Sequence, residues 1–119
     1  MVTGELRGNR PYINILIRWA NKIQAITALI DTGFDGDIRI SEKQAQDLNL
    51  ITNHIQLFEF VDGSKKQVPA STAYSDFNGM TGSLDVAVLD GGATIGMGFL
   101  KKFDAILKIN LKQRSVTIA

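Results

Sequence analysis

Pro11-Tyr12-Ile13-Asn14-Ile15-Leu16-Ile17-Arg18-Trp19 reads as a strand, Ala20-Asn21-Lys22 as a turn, and Ile23 to Ile30 as a returning strand that runs straight into Asp31-Thr32-Gly33. This constrains the fold more than any other stretch: an antiparallel hairpin must deliver a carboxylate at its end. Leu29 and Ile30 are strand-type residues that anchor the segment in a core. Gly33 then frees the backbone to turn at once. Asp31 is thereby placed at the mouth of a rigid strand, where a carboxylate is oriented rather than merely solvated. By itself the tripeptide also fits a plain β-turn, because Asp and Gly are common turn formers.

The flanks extend the pattern. After Phe34-Asp35-Gly36-Asp37, the triplet Ile38-Arg39-Ile40 alternates as a short strand. Ser41 with Gln44 makes a capping box for a short helix over about residues 41 to 49, whose one face carries Ala45 and Leu48. Residues 55 to 61 alternate again, Asp62-Gly63-Ser64 forms a hairpin tip, and Lys65 to Pro69 leads back. Thr72 to Phe77 and Ser83 to Leu89 pair around Asn78-Gly79 and Thr81-Gly82. One or two helical turns are expected near 97 to 103, followed by a closing hairpin of Ala105 to Asn110 and Ser115 to Ile118. Eleven glycines at turns suit many short strands closing on themselves. No linker or repeat divides the chain, so the expectation is one all-β, barrel-like domain over residues 1–119.

Composition narrows the function classes. A chain of 119 residues buries a core unaided. A net charge of +1 without a basic stripe argues against a nucleic-acid partner, and Lys65-Lys66 and Lys101-Lys102 read as solvated pairs. With no cysteine, disulfides, thiol catalysis and thiolate metal sites are excluded, which fits a cytoplasmic protein. No apolar run approaches the ~18 residues of a membrane span, and no signal peptide opens the chain.

Two aliphatics before Asp31-Thr32-Gly33, and Ala93-Thr94-Ile95-Gly96 leading into Met97-Gly98-Phe99-Leu100, resemble the retropepsin-like single-domain aspartic proteases of clan AA. The segment order from about residue 11 to the end resembles that family too. The resemblance implies a closed β-barrel with one short helix after the Asp-Thr-Gly loop and a short C-terminal helix. It implies an aspartic endopeptidase acting on peptide or protein substrates, with no cofactor and no metal. Such chemistry needs two carboxylates about 3 Å apart that share a proton, one acting as base and the other as acid. This chain has a single Asp-Thr-Gly, so the resemblance implies a homodimer in which each copy contributes Asp31. Thr32 and Gly33 are then the supporting loop, and Phe34, Asp62, Gly63, Ser64, Ile95 and Gly96 belong to the substrate cleft or flap. The alternative is a catalytically silent dimer that binds peptide or serves assembly.

Three departures from the retroviral pattern stand out. Phe34 follows the Asp-Thr-Gly where a small residue is usual, which resembles a prokaryotic Asp-Thr-Gly-Phe branch; it either anchors the loop or narrows the cleft. Met97 occupies a position where an arginine usually buttresses the dimer. The hairpin Leu57 to Val68 has the position of a mobile cover but lacks a glycine-rich tip. Among other residues, His54 reads as a surface residue, Gly91-Gly92 and Gly96-x-Gly98 as turns, and Trp19 and Tyr12 as packing for the first hairpin. Asp35 and Asp37 read either as solvated or as a cation site with Asp31. The terminal strands, Met1 to Arg7 and Val116 to Ala119, are expected to pair across the dimer axis.

Overall fold

Alternation sets the architecture. Ile13, Ile15 and Ile17 point into one core while Asn14 and Leu16 point outward, and Ile26, Ala28 and Ile30 do the same on the returning strand. The computed structural model describes residues 1–119. In chain order the elements are β1 (Val2–Thr3), β2 (Glu5–Arg7), β3 (Arg10–Trp19), β4 (Lys22–Ile30), β5 (Ile38–Ile40), α1 (Glu42–Asp47), β6 (His54–Glu59) and β7 (Lys65–Phe77). There follow β8 (Met80–Val88), β9 (Thr94–Ile95), α2 (Met97–Lys102), β10 (Leu107–Asn110) and β11 (Ser115–Ile118). Neither helix is long and apolar enough to cross a membrane.

The main sheet runs β2-β3-β4-β9-β5-β8-β7-β6, and β3 also pairs with β7 through Ile17–Ser75 and Arg18–Tyr74. That extra pairing closes β3-β4-β9-β5-β8-β7 into a barrel, so the sheet loses two edges it would otherwise expose. Side chains reinforce the seam. The buried Ser75 hydroxyl donates to the Leu16 carbonyl at 2.7 Å, Arg18 pairs with Asp76 at 3.0 Å, and Trp19 stacks on Tyr74. Trp19 therefore packs across the barrel seam as well as on its own hairpin. Inside, Phe77, Phe99 and Phe103 meet with ring centroids 4.8 to 5.5 Å apart, which seats α2 against the sheet.

Several elements differ from the sequence reading. Lys22 pairs with Trp19, so the first turn has two residues, with Ala20 at φ 52°. β7 is one strand of 13 residues, not two short ones. Pro69 is tolerated within it because β7 changes partners there: Pro69 faces Ile55 of β6, and pairing with β8 begins at Ala70. Thr81 and Gly82 lie inside β8, because Asn78 and Gly79, both at positive φ, complete the turn alone. The capping box of α1 forms as expected, with the Ser41 hydroxyl accepting from the Gln44 N–H at 3.1 Å. At the C-terminus β11 lies between β1 and β10 of its own chain. Val116–Ile118 thus has both edges occupied, and only the outer edges of β1 and β10 stay open in that small sheet.

Candidate active site

β4 carries the site. Its last hydrogen-bonded position before the loop is fixed by β9, with the Asp31 N–H donating to the Ile95 carbonyl at 3.0 Å. The loop after it is stitched to the start of α2: Met97 N–H to Phe34 O at 2.7 Å, Gly96 N–H to Asp37 O and Gly98 N–H to Gly36 O, both at 3.1 Å. A Cβ at Gly96 would overlap the Phe34 and Gly36 carbonyls, and one at Gly98 would overlap the Asp37 carboxylate. Gly96 is there because backbone meets backbone, and Gly98 because the Asp37 carboxylate and the Gly36 backbone lie against it. The second motif is a clamp on the first.

Asp31 is exposed at the mouth of this clamp, and its Oδ1 accepts from the Gly33 N–H at 2.9 Å. That bond holds the carboxylate plane relative to the turn. Thr32 is exposed and faces a shallow depression shared with Met97, Leu100, Ala105 and Leu107. Asp35 is exposed, but Asp37 turns inward with only 9% exposure. Its Oδ2 accepts from Lys102 Nζ at 2.7 Å and from the Asp85 N–H at 2.8 Å. Asp37 is therefore neither solvated nor aimed at Asp31, and Lys102 is a structural partner rather than a solvated charge. No three acidic or histidine side chains are grouped to hold a metal ion.

A cleft of about 440 Å³ opens beside Asp31. Sheet register explains its floor. Tyr12 pairs with Leu29, Leu29 with Thr94, and Thr94 with Arg39, a row across β3, β4, β9 and β5 that faces the cleft. The next residues of β4 and β9 and the preceding residue of β5, Ile30, Ile95 and Ile38, form the buried row beneath. Ile95 thus belongs to the core and not to the cleft, and Gly96 lies under the loop. Tyr12 lines the cleft, with Arg7 stacked over its ring.

Phe34 and the β6–β7 hairpin supply the opposite wall. Phe34 lies 5.5 Å from Phe58 between ring centroids, and Glu59, Phe60 and Val61 continue the lining. The tip residues Asp62, Gly63 and Ser64 stand outside it. Asp62 is turned to its own tip, accepting from the Ser64 hydroxyl at 2.6 Å and N–H at 2.9 Å, and these bonds hold its carboxyl below the usual range. The cover over the cleft is therefore aromatic, and it comes from the strand end preceding the tip. His54 stands apart from the cleft between Asn53 Oδ1 and Asp85 Oδ1, each 2.6 Å from a ring nitrogen.

Sequence reasoning missed Arg39 as part of this region, and it did not give Asp37 its partner Lys102. A signal existed for Arg39: between two buried isoleucines, strand alternation sends it to the face opposite the core.

No protein-family model matches the sequence, and no curated protein matches it. Among solved structures the chain is similar to a retropepsin-like aspartic protease from Rickettsia conorii, at 18% identity and a TM-score of 0.68. The similarity covers 99% of this chain and 88% of that one. The fold is retropepsin-like.

Proposed function

We propose that this retropepsin-like chain is an aspartic endopeptidase whose site forms between two copies, each giving Asp31. The observation that carries the reading is the Asp31 carboxylate, fixed by the Gly33 N–H on a loop clamped from below and opening onto a peptide-sized cleft. One chain offers one such carboxylate. Two copies related by a two-fold axis through the Asp31 loops would bring both into contact. One carboxylate would then take a proton from the attacking water while the other, protonated, gives its proton to the carbonyl oxygen or the leaving nitrogen. An extended peptide would lie over the Tyr12-Leu29-Thr94-Arg39 row, under the Phe58–Phe60 wall.

Surface chemistry next to the loop supports self-association. Thr32 shares its depression with apolar residues, Met97 is 46% exposed there, and the adjacent Ile106 is 70% exposed. Exposed apolar side chains grouped around a half-site are what a second copy would cover. Met97 would contribute by burial where an arginine would contribute by charge.

The test is digestion of a peptide library by the purified protein and by Asp31→Asn, with sedimentation at the same concentration. Hydrolysis by a dimer, lost in Asp31→Asn, is the expected result. Full activity from a strict monomer would overturn the shared site, and a dimer that cleaves nothing would make the fold a peptide-binding or assembly module.

A further inference from the structure

Arg39 is a cation without an anion. It is half-buried on β5, its Nη2 donates to the Gly91 and Gly92 carbonyls at 3.2 Å each, and its Nε is buried with no acceptor. The chain's ion pairs, Arg7–Glu5, Arg18–Asp76, Lys43–Asp47, His54–Asp85 and Lys102–Asp37, leave it out. A guanidinium in a partly desolvated wall is costly unless a carboxylate completes it, and its planar fork suits that group. Two carbonyls fix the fork in place. The loop that supplies them, Gly91 at φ 131° and Gly92 at φ 95°, takes a backbone course that L side chains rarely adopt.

Position then says which carboxylate. The cleft holds two cations, Arg10 and Arg39, and two acids, Asp31 and Glu59. Continuing the β3–β4 register past Tyr12–Leu29 brings Arg10 opposite Asp31, whereas Arg39 ends the row two strands away, about 10 Å from β4. Glu59 stands exposed on the opposite hairpin. An extended peptide advances about 3.3 Å per residue, so a point about 10 Å along it lies about three residues from the bond above Asp31.

We infer that Arg39 is a specificity-determining residue that receives a peptide carboxylate about three residues from the bond held at Asp31. The carboxylate is either a Glu or Asp side chain or a free chain terminus. This rests on the peptidase reading for the direction of the peptide, but its test does not need cleavage.

Octapeptides carrying Glu or Gln in equal amounts at each position, as free acids and as C-terminal amides, are bound to the Asp31→Asn protein. Retained peptides are read by mass spectrometry. Enrichment of Glu over Gln by about tenfold at one position is expected, with loss in Asp31→Asn/Arg39→Gln and weakening in Asp31→Asn/Arg39→Lys. Enrichment of free acids over amides, with Glu and Gln equal, assigns the subsite to a chain terminus. Equal retention of all four classes by the Asp31→Asn protein, or retention of none, overturns the inference. Selection for the carboxylate by a protein whose unsubstituted form hydrolyses nothing would defeat the peptidase reading and leave Arg39 standing.

Discussion

Asp37 and Lys102, 65 positions apart, meet at 2.7 Å beneath the Asp31 loop, and the same Asp37 oxygen takes the Asp85 N–H. One carboxylate thus ties the loop after the Asp31 turn to α2 and to β8. Lys102→Met should leave Asp37 partly unsatisfied and cost about 1–3 kcal/mol, toward the lower end because Lys102 is 38% exposed. Urea unfolding followed by tryptophan fluorescence measures it. A change within about 0.5 kcal/mol, the range of ordinary surface substitutions, would show that the pair does not hold the loop.

Gly96→Ala forces a methyl into the Phe34 and Gly36 carbonyls, so the clamp must open. A loss of about 1–3 kcal/mol is expected, together with loss of hydrolysis, because Asp31 is aimed through that clamp. Gly63→Ala is the control. It meets open space at the hairpin tip, and its φ of 85° confines the penalty to local backbone strain. Thermal melts and peptide hydrolysis of the two variants should therefore separate.

Asp76 accepts from Arg18 at the barrel seam and from Thr81, which holds its carboxyl below the ordinary 3.8. A carboxyl lowered in the folded state adds stability that is complete above its unfolded value and disappears as pH falls through the folded one. Melting temperatures recorded from about pH 5 down to pH 2 should fall less steeply for Asp76→Asn than for the unsubstituted protein. Identical slopes would remove the seam from the acid response.

Hydrolysis should follow a bell-shaped profile on the acid side of neutrality, since two facing carboxylates work with one proton between them. A peptide analogue with a central hydroxyl should inhibit and oppose dimer dissociation. Asp35→Asn should keep most activity, and Asp37→Asn should lose activity only as far as it loses stability. Undiminished hydrolysis in mild alkali, or abolition by a chelator, would refute the aspartyl mechanism.

Local chemistry alone determined a good part of this protein. The hairpin ending on Asp31, the Ser41–Gln44 cap, the Asn78-Gly79 turn and the glycine-bearing segment before α2 are all written in neighbouring residues, through side-chain alternation and turn geometry. Tertiary structure decided the rest. Pro69 reads as a break until β7 is seen to exchange β6 for β8, and the barrel closes only because Ile17 and Ser75 come together. Asp37 reads as a loop acid until Lys102 arrives from α2, and Ile95 reads as cleft until the row Ile30-Ile95-Ile38 proves to be core. Arg39 joins the row lining the cleft only when β9 lies between it and β4. Periodicity records which way a side chain points relative to its neighbours, but the partner it meets depends on strand pairings across tens of residues, and those are chosen by the burial of the whole core.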